Sequence, residues 1–236
     1  MKRVPEPELM NDPVHASVYA GNDLEDAYWL FEQCYRKFFP DIESESTILD
    51  LGCGPAGIPI RLAQRFPECT IHAVDGAPVM LEQAKIAIAE KGLEQQVHLF
   101  CGTLPKRMNL PQKRYDVILS NSFLHHLADP MVLWNELLEY GDSNTAILVI
   151  DLIRPDTEEK LSSIIDHYMA DAPSLLQRDM ECSLRAAFTV EEVHSQLEEA
   201  GLLQCLTVVQ VSPFQFAVHG QLSFAGKEVL IDARSI

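Results

Sequence analysis

Five short apolar and β-branched runs alternate with helical patterns between residues 47 and 152, and that alternation leaves few folds open. The runs are TILDLG (47–52), TIHAVD (70–75), VHLFCG (97–102), YDVILSN (115–121) and TAILVIDL (145–152). They read as strands covered on both faces, because they lack the polar alternation of half-exposed ones. Strand, helix, strand in that order predicts βαβ units and a parallel sheet. The stretches between carry helix punctuation. Residues 77–91 have Pro78 in the first turn, an apolar stripe of Leu81, Ala84 and Ile88, and Gly92 as a stop. In DPMVLWNELLEYG, Asp129 is expected as N-cap, Pro130 as the first helical residue and Gly141 beyond the end. Thr189 and Glu192 have capping-box spacing, Phe188 is placed to staple onto Val193, and Gly201 closes that helix. Two later runs, 204–211 and 214–222, are separated by Ser212 and Pro213 and predict an antiparallel pair.

The first strand runs into Gly52, Gly54 and Gly57, a G-x-G-x-x-G pattern. Gly52 and Gly54 permit positive φ and remove side chains that would keep a ligand off the backbone. Pro55 and Pro59 withdraw two N–H donors from the start of the following helix. A pyrophosphate would use every such donor, so the loop suits a ligand with little negative charge better. Asp75 closes the second strand, 23 residues after Gly52. A carboxylate there can accept hydrogen bonds from a ribose diol in a dinucleotide site or in another nucleoside site. It can also cap the helix that begins near Ala77.

Composition limits the partners. A chain of 236 residues with 47% hydrophobic content can bury a full core. The formal charge of −17 argues against a nucleic-acid partner and favours a neutral or cationic small molecule. The six cysteines form no C-x-x-C pair, which suits reduced thiols and a cytoplasmic setting. The opening MKRVPEPELMNDP lacks the apolar stretch of a signal peptide, and no run reaches membrane-span length.

Three blocks, ILDLGCGPAG, AVDGAPVMLEQAK and YDVILSNSFLHHLADP, in this order and spacing, resemble the class I S-adenosylmethionine-dependent methyltransferases. The likeness runs from about residue 48 to 152. A weaker overall similarity points to the ubiquinone/menaquinone-methyltransferase branch. The resemblance implies a Rossmann-like α/β fold: a seven-stranded sheet of order 3-2-1-4-5-7-6 with strand 7 antiparallel and helices on both faces. It also implies S-adenosyl-L-methionine as cofactor and S-adenosyl-L-homocysteine as product. Asp50, Gly52, Cys53 and Gly54 match the cofactor loop, with Ala56 where the family has a further glycine. Asp75 and Gly76 match the ribose-binding position and its neighbour, and Met80 the adenine pocket. Thr103 stands where the family often has an acid that bonds the adenine amino group; its hydroxyl or the backbone can serve instead, with Leu104 beside it as a further cofactor candidate. Asn121 matches a position whose backbone approaches the methionine part. An N-terminal aromatic closes over the cofactor in related small-molecule enzymes, and Tyr19 is the candidate here, with Tyr28 and Trp29 as rivals.

His125 and His126 follow the fourth strand at the mouth of this site, and His126 is the first candidate for a base or acceptor contact. A structural pair at a strand-to-helix turn is the equal alternative. Adjacent histidines do not readily grip one metal, and no cluster has ligand spacing, so no metal is expected. Asp151, Arg154, Tyr168 and Arg178, with Tyr28 and Trp29, are candidates for lining the acceptor pocket. The expected organisation is one domain: a helical cap (1–46), a cofactor-binding core (47–152), a helical lid (153–187), and a C-terminal helix and hairpin (188–236). Two other functions compete with small-molecule methyl transfer. A nicotinamide-dependent oxidoreductase would use the glycines and Asp75, but no Tyr-x-x-x-Lys pair is present. A non-catalytic protein could keep cofactor binding alone.

Overall fold

The computed structural model describes residues 1–6, 12–21, 25–40, 45–105 and 109–223, the side chain of His15 aside. Parts of the expected cap and residues 224–236 of the expected C-terminal segment lie outside the described residues.

Seven strands form one sheet: β1 (Thr47–Leu51), β2 (Thr70–Asp75), β3 (Val97–Cys101), β4 (Val117–Asn121), β5 (Ala146–Leu152), β6 (Leu206–Ser212) and β7 (Gln215–Gln221). Their order is β3-β2-β1-β4-β5-β7-β6. The first five pair in parallel, and β7 runs antiparallel to both β5 and β6. This is the expected topology. β2 keeps its expected limits, and the other strands begin or end a residue or two away from theirs. At β4, for example, Tyr115 and Asp116 donate to Tyr140 and Thr47 before regular pairing starts at Val117.

Eight helices surround the sheet among the described residues: α1 (Pro13–Ala20), α2 (Glu25–Phe38), α3 (Gly57–Arg65), α4 (Pro78–Lys91), α5 (Met131–Tyr140), α6 (Glu158–Tyr168), α7 (Ser174–Ala186) and α8 (Val190–Glu199). Pro130 takes the cap position of α5, so the helix starts one residue later than expected. Asp129 still caps it, accepting from the Met131 amide at 3.0 Å. The Thr189–Glu192 capping box forms as the sequence requires.

Strand alternation divides the core in two. Ile48, Ile71, Ala73, Leu119, Leu148 and Ile150 pack on one face with residues of α2, α3 and α4. Leu49, Leu51, Ile118, Ile147, Val149 and Phe216 pack on the other with α5 and α8. There Trp134 is fully buried, and its indole N–H donates to Gln196 of α8 at 3.0 Å. Both faces being covered explains the unbroken apolar runs. The C-terminal ends of β1, β2, β4 and β5 therefore open on one edge, where ligands bind in such sheets.

Candidate functional site at the strand ends

The glycine loop is bound mostly to itself and to β2. The amides of Gly52 and Cys53 donate to the Val74 carbonyl at 2.9 Å, and the Ala56 amide donates to Cys53 at 2.9 Å. The Gly54 amide donates to Asp75 Oδ2 at 2.8 Å, while Asp75 Oδ1 accepts from the Ala77 amide at 2.8 Å. Asp75 therefore fills both roles left open by the sequence: it caps α4 and it stands against the loop. With four loop amides committed and Pro55 lacking one, little remains for a pyrophosphate.

Each glycine has its own reason. Gly52 sits at φ 82°, and a methyl group there would overlap the Phe123 ring. Gly54 sits at φ 51° beside open space. Gly57 is different, since a methyl group there would strike the Tyr28 ring of α2. Its place in the pattern thus serves helix packing, which Arg61 reinforces by pairing with Glu25 and Glu32 of α2. Ala56, at the position where the family has glycine, adopts a left-handed conformation at φ 65° and is fully buried.

Several cofactor candidates converge. Tyr19 of α1 packs with Ala77 and Met80, immediately beyond Asp75 and Gly76. Burial, then the carboxylates of Asp179, Asp75 and Glu6, raises the Tyr19 phenol above its ordinary range. Burial likewise raises Asp75, opposed by the Ala77 and Gly54 amides and by His126. Cys53 is buried in the loop, and its thiol is pushed well up by burial and by Asp50 and Asp75. Asn121 ends β4 on the same edge, whereas Thr103 is exposed and Leu104 leans on the α5 side of the core.

Asp50 lies beneath the loop, 2% exposed, with its carboxyl raised to about 7 by burial and by Asp75. The folded protein therefore binds a proton that the unfolded chain, at the ordinary 3.8, has lost. This contribution is full below about pH 4 and fades as pH rises through 7. Asp50→Asn is expected to be more stable than the wild type at pH 8 and to keep only a minor part of that advantage at pH 5. Urea unfolding at the two pH values measures it; an equal difference at both would remove Asp50 as the cause.

The two histidines take different places in the 3₁₀ turn Leu124–His126. His125 is buried with Nδ1 2.6 Å from Asp151 Oδ1. Asp151 also accepts from the amides of Phe123 at 3.0 Å and Leu152 at 2.6 Å; against burial, His125, the Leu152 amide and His126 hold its carboxyl below the usual range. Asp151 thus organises the turn that carries Phe123 onto Gly52. His126 is more open, with Nδ1 2.6 Å from Glu6 Oε2. Glu6 Oε1 accepts from Ser183 at 2.6 Å, and His126 and Ser183 hold the Glu6 carboxyl down to about 2.

Glu6 belongs to an N-terminal strap that sequence reasoning missed. Arg3 donates to the carbonyls of Ala186, His125 and Leu127 at 2.6, 3.0 and 2.9 Å, and lies over the Phe188 ring. The Val4 amide donates to Arg185. The segment RVPE has neither helical nor strand periodicity, so no local signal identifies it.

The acceptor candidates are scattered. Arg154 is buried and spent on the carbonyls of Met1 and Ala187 and on Glu192. Trp29 is 55% exposed, Tyr28 packs on Gly57, and Arg178 is exposed on α7. Tyr168 is half-exposed and packs on Phe214 with ring centroids 4.7 Å apart.

A methyltransferase-domain family model matches residues 48–139. Trans-aconitate 2-methyltransferase of Enterobacter sp. (strain 638) is 30% identical over 125 residues, 52% of this chain and 45% of that protein. The enzyme of that name from Rhodococcus jostii (strain RHA1) is 28% identical over 200 residues, 75% of this chain and 74% of its own. The chain thus spans under half of one relative and about three quarters of the other. Among solved structures, an S-adenosylmethionine-dependent methyltransferase from Aquifex aeolicus aligns with TM-score 0.64 at 19% identity, covering 90% of this chain and 99% of that one. The plantazolicin methyltransferase BpumL, in complex with a triazolic desmethylPZN analog and SAH, aligns with TM-score 0.68 at 16% identity, covering 89% and 90%.

Proposed function

We propose that the chain is a class I S-adenosylmethionine-dependent methyltransferase that transfers a methyl group from that cofactor to a small-molecule acceptor. One observation carries the reading: the Asp75 carboxylate stands at the end of β2 against Gly54, beside open space, in a loop whose amides are already engaged. Such a place suits a ribose diol and a ligand of low negative charge. The residues fit the cofactor in a second respect, since the Asp75 and Glu6 carboxylates close to Tyr19 put negative charge at this edge for a cationic ligand.

When bound, the sulfonium supplies an activated methyl group; the methyl carbon bonds to the acceptor's nucleophilic atom as the carbon–sulfur pair returns to sulfur. The protein's part is positioning and exclusion of water. Asp75 accepts from the ribose hydroxyls. Tyr19 and Met80 flank the purine side. Phe123, fixed through its amide by Asp151, closes the opposite side against Gly52. His126 is the candidate contact for the acceptor, close enough to Asp75 to favour that carboxylate's charged form.

The relatives are named for trans-aconitate, an anion. Here the two arginines beside the histidines are committed to carbonyls and to Glu192, while Glu6 and Asp75 supply negative charge. That arrangement favours a neutral or cationic acceptor. Calorimetry with S-adenosylhomocysteine and with NAD in parallel is the first test, and binding of only the former is expected. Radiolabel transfer from the methyl donor into small-molecule fractions, with trans-aconitate as comparison, then tests the acceptor. NAD binding in place of S-adenosylhomocysteine would overturn the reading.

A further inference from the structure

We propose that Glu6, His125 and His126 form a binding site for a divalent first-row transition-metal ion at the acceptor end of the sheet. One ligand atom from each residue lies within 4.8 Å of the others. Tetrahedral bonds of the usual length place ligand atoms about 3.4 Å apart, so convergence takes a shift on the order of an ångström. Neighbouring histidines alone make a poor clamp. Here their rings stand 4.2 Å apart, tilted by 37°, and the third ligand arrives from the strap far upstream in the chain.

The surroundings are those of a supported site. Asp151 holds His125 by Nδ1, which fixes the ring and leaves Nε2 as the ligand, the carboxylate–histidine arrangement that orients metal-binding imidazoles. Ser183 steadies the other oxygen of Glu6. Arg3 holds the carbonyls of His125 and Leu127, so one strap both supplies a ligand and fixes the turn bearing the other two. At 2.6 Å the Glu6–His126 contact is a hydrogen bond, and the ion would displace its proton to solvent. Two imidazoles and a carboxylate suit Zn²⁺ or Fe²⁺ and leave a coordination position open. Facing the methyl donor, that position would take the acceptor's nucleophilic atom in its anionic form. This last role rests on the proposed methyl transfer; ion binding does not.

The full chain, stripped with a chelator, is titrated with Zn²⁺ against a chromophoric competitor and with Co²⁺ by absorption. One ion per chain is expected, with affinity reduced at least 100-fold in Glu6→Gln and in His126→Gln. Asp151→Asn should weaken binding 10- to 100-fold at unchanged stoichiometry. The urea-unfolding midpoint of each variant reports folding, and S-adenosylhomocysteine affinity of the wild type keeps a failure here distinct from failure of the cofactor assignment. A wild type that binds no ion overturns the proposal. So do variants that bind as tightly as wild type, or a cobalt spectrum with a thiolate charge-transfer band, which would put the ion on cysteine.

Discussion

Gly52→Ala is expected to destabilise the protein by about 2–5 kcal/mol and to abolish measurable S-adenosylhomocysteine binding. Two costs combine. An L-residue held in the left-handed region loses about 1–2 kcal/mol, and Gly52 sits at φ 82°. The added methyl also overlaps the Phe123 ring, and overpacking of this kind costs about 1–3 kcal/mol. The ring cannot simply swing away, because the Phe123 amide is bound to buried Asp151 and the adjoining turn is held by Arg3. Against a total stability of about 5–15 kcal/mol, that is a large fraction. Gly54→Ala is the control. Its φ of 51° carries a similar backbone cost, but its methyl enters open space. Gly54→Ala should therefore unfold in urea nearer to wild type than Gly52→Ala does, while still losing cofactor affinity because the methyl occupies ligand space. Equal destabilisation by the two substitutions would mean that Phe123 yields, and the account of Gly52 would fail.

These two residues also show how far the sequence speaks. The central strands and the antiparallel pair were legible in the apolar runs, because burial on both faces leaves its mark on β1, β4 and β5, whereas the sheet order came from the resemblance of the family blocks. Asp75 was legible because it ends a strand at a fixed distance from the loop. Gly57 was not: its reason is the Tyr28 ring, brought in from another helix, and the G-x-G-x-x-G spelling disguised a packing contact as a nucleotide signature. The pairing of His125 with Asp151 depends on β4 lying beside β5, a register that places Asn121 next to Ile150. Glu6 and Arg3 were harder still. Their roles come from side-chain contacts across more than a hundred residues, and periodicity contains no trace of those.

Asp75→Ala is expected to reduce S-adenosylhomocysteine affinity by roughly two to four orders of magnitude. Charge-assisted hydrogen bonds are worth about 1.5–3 kcal/mol each, and a ribose diol offers two donors to one carboxylate. The same oxygens now receive the Gly54 and Ala77 amides at 2.8 Å, so the substitution also frees the loop and the first turn of α4. That structural share can be separated. Asp75→Asn keeps an oxygen for one amide but turns its NH₂ group toward the other donor, so its stability should lie between wild type and alanine. If loop order alone sets affinity, binding of the asparagine variant will follow its stability and recover most of the loss. If the carboxylate holds the sugar directly, its affinity will stay close to that of the alanine variant, since an amide cannot accept from both hydroxyls. Burial raises Asp75, so wild-type affinity should also weaken as acid protonates it, and the alanine variant should lack that particular dependence. Calorimetry across pH measures both effects, and affinity within twofold of wild type for Asp75→Ala would place the ribose elsewhere.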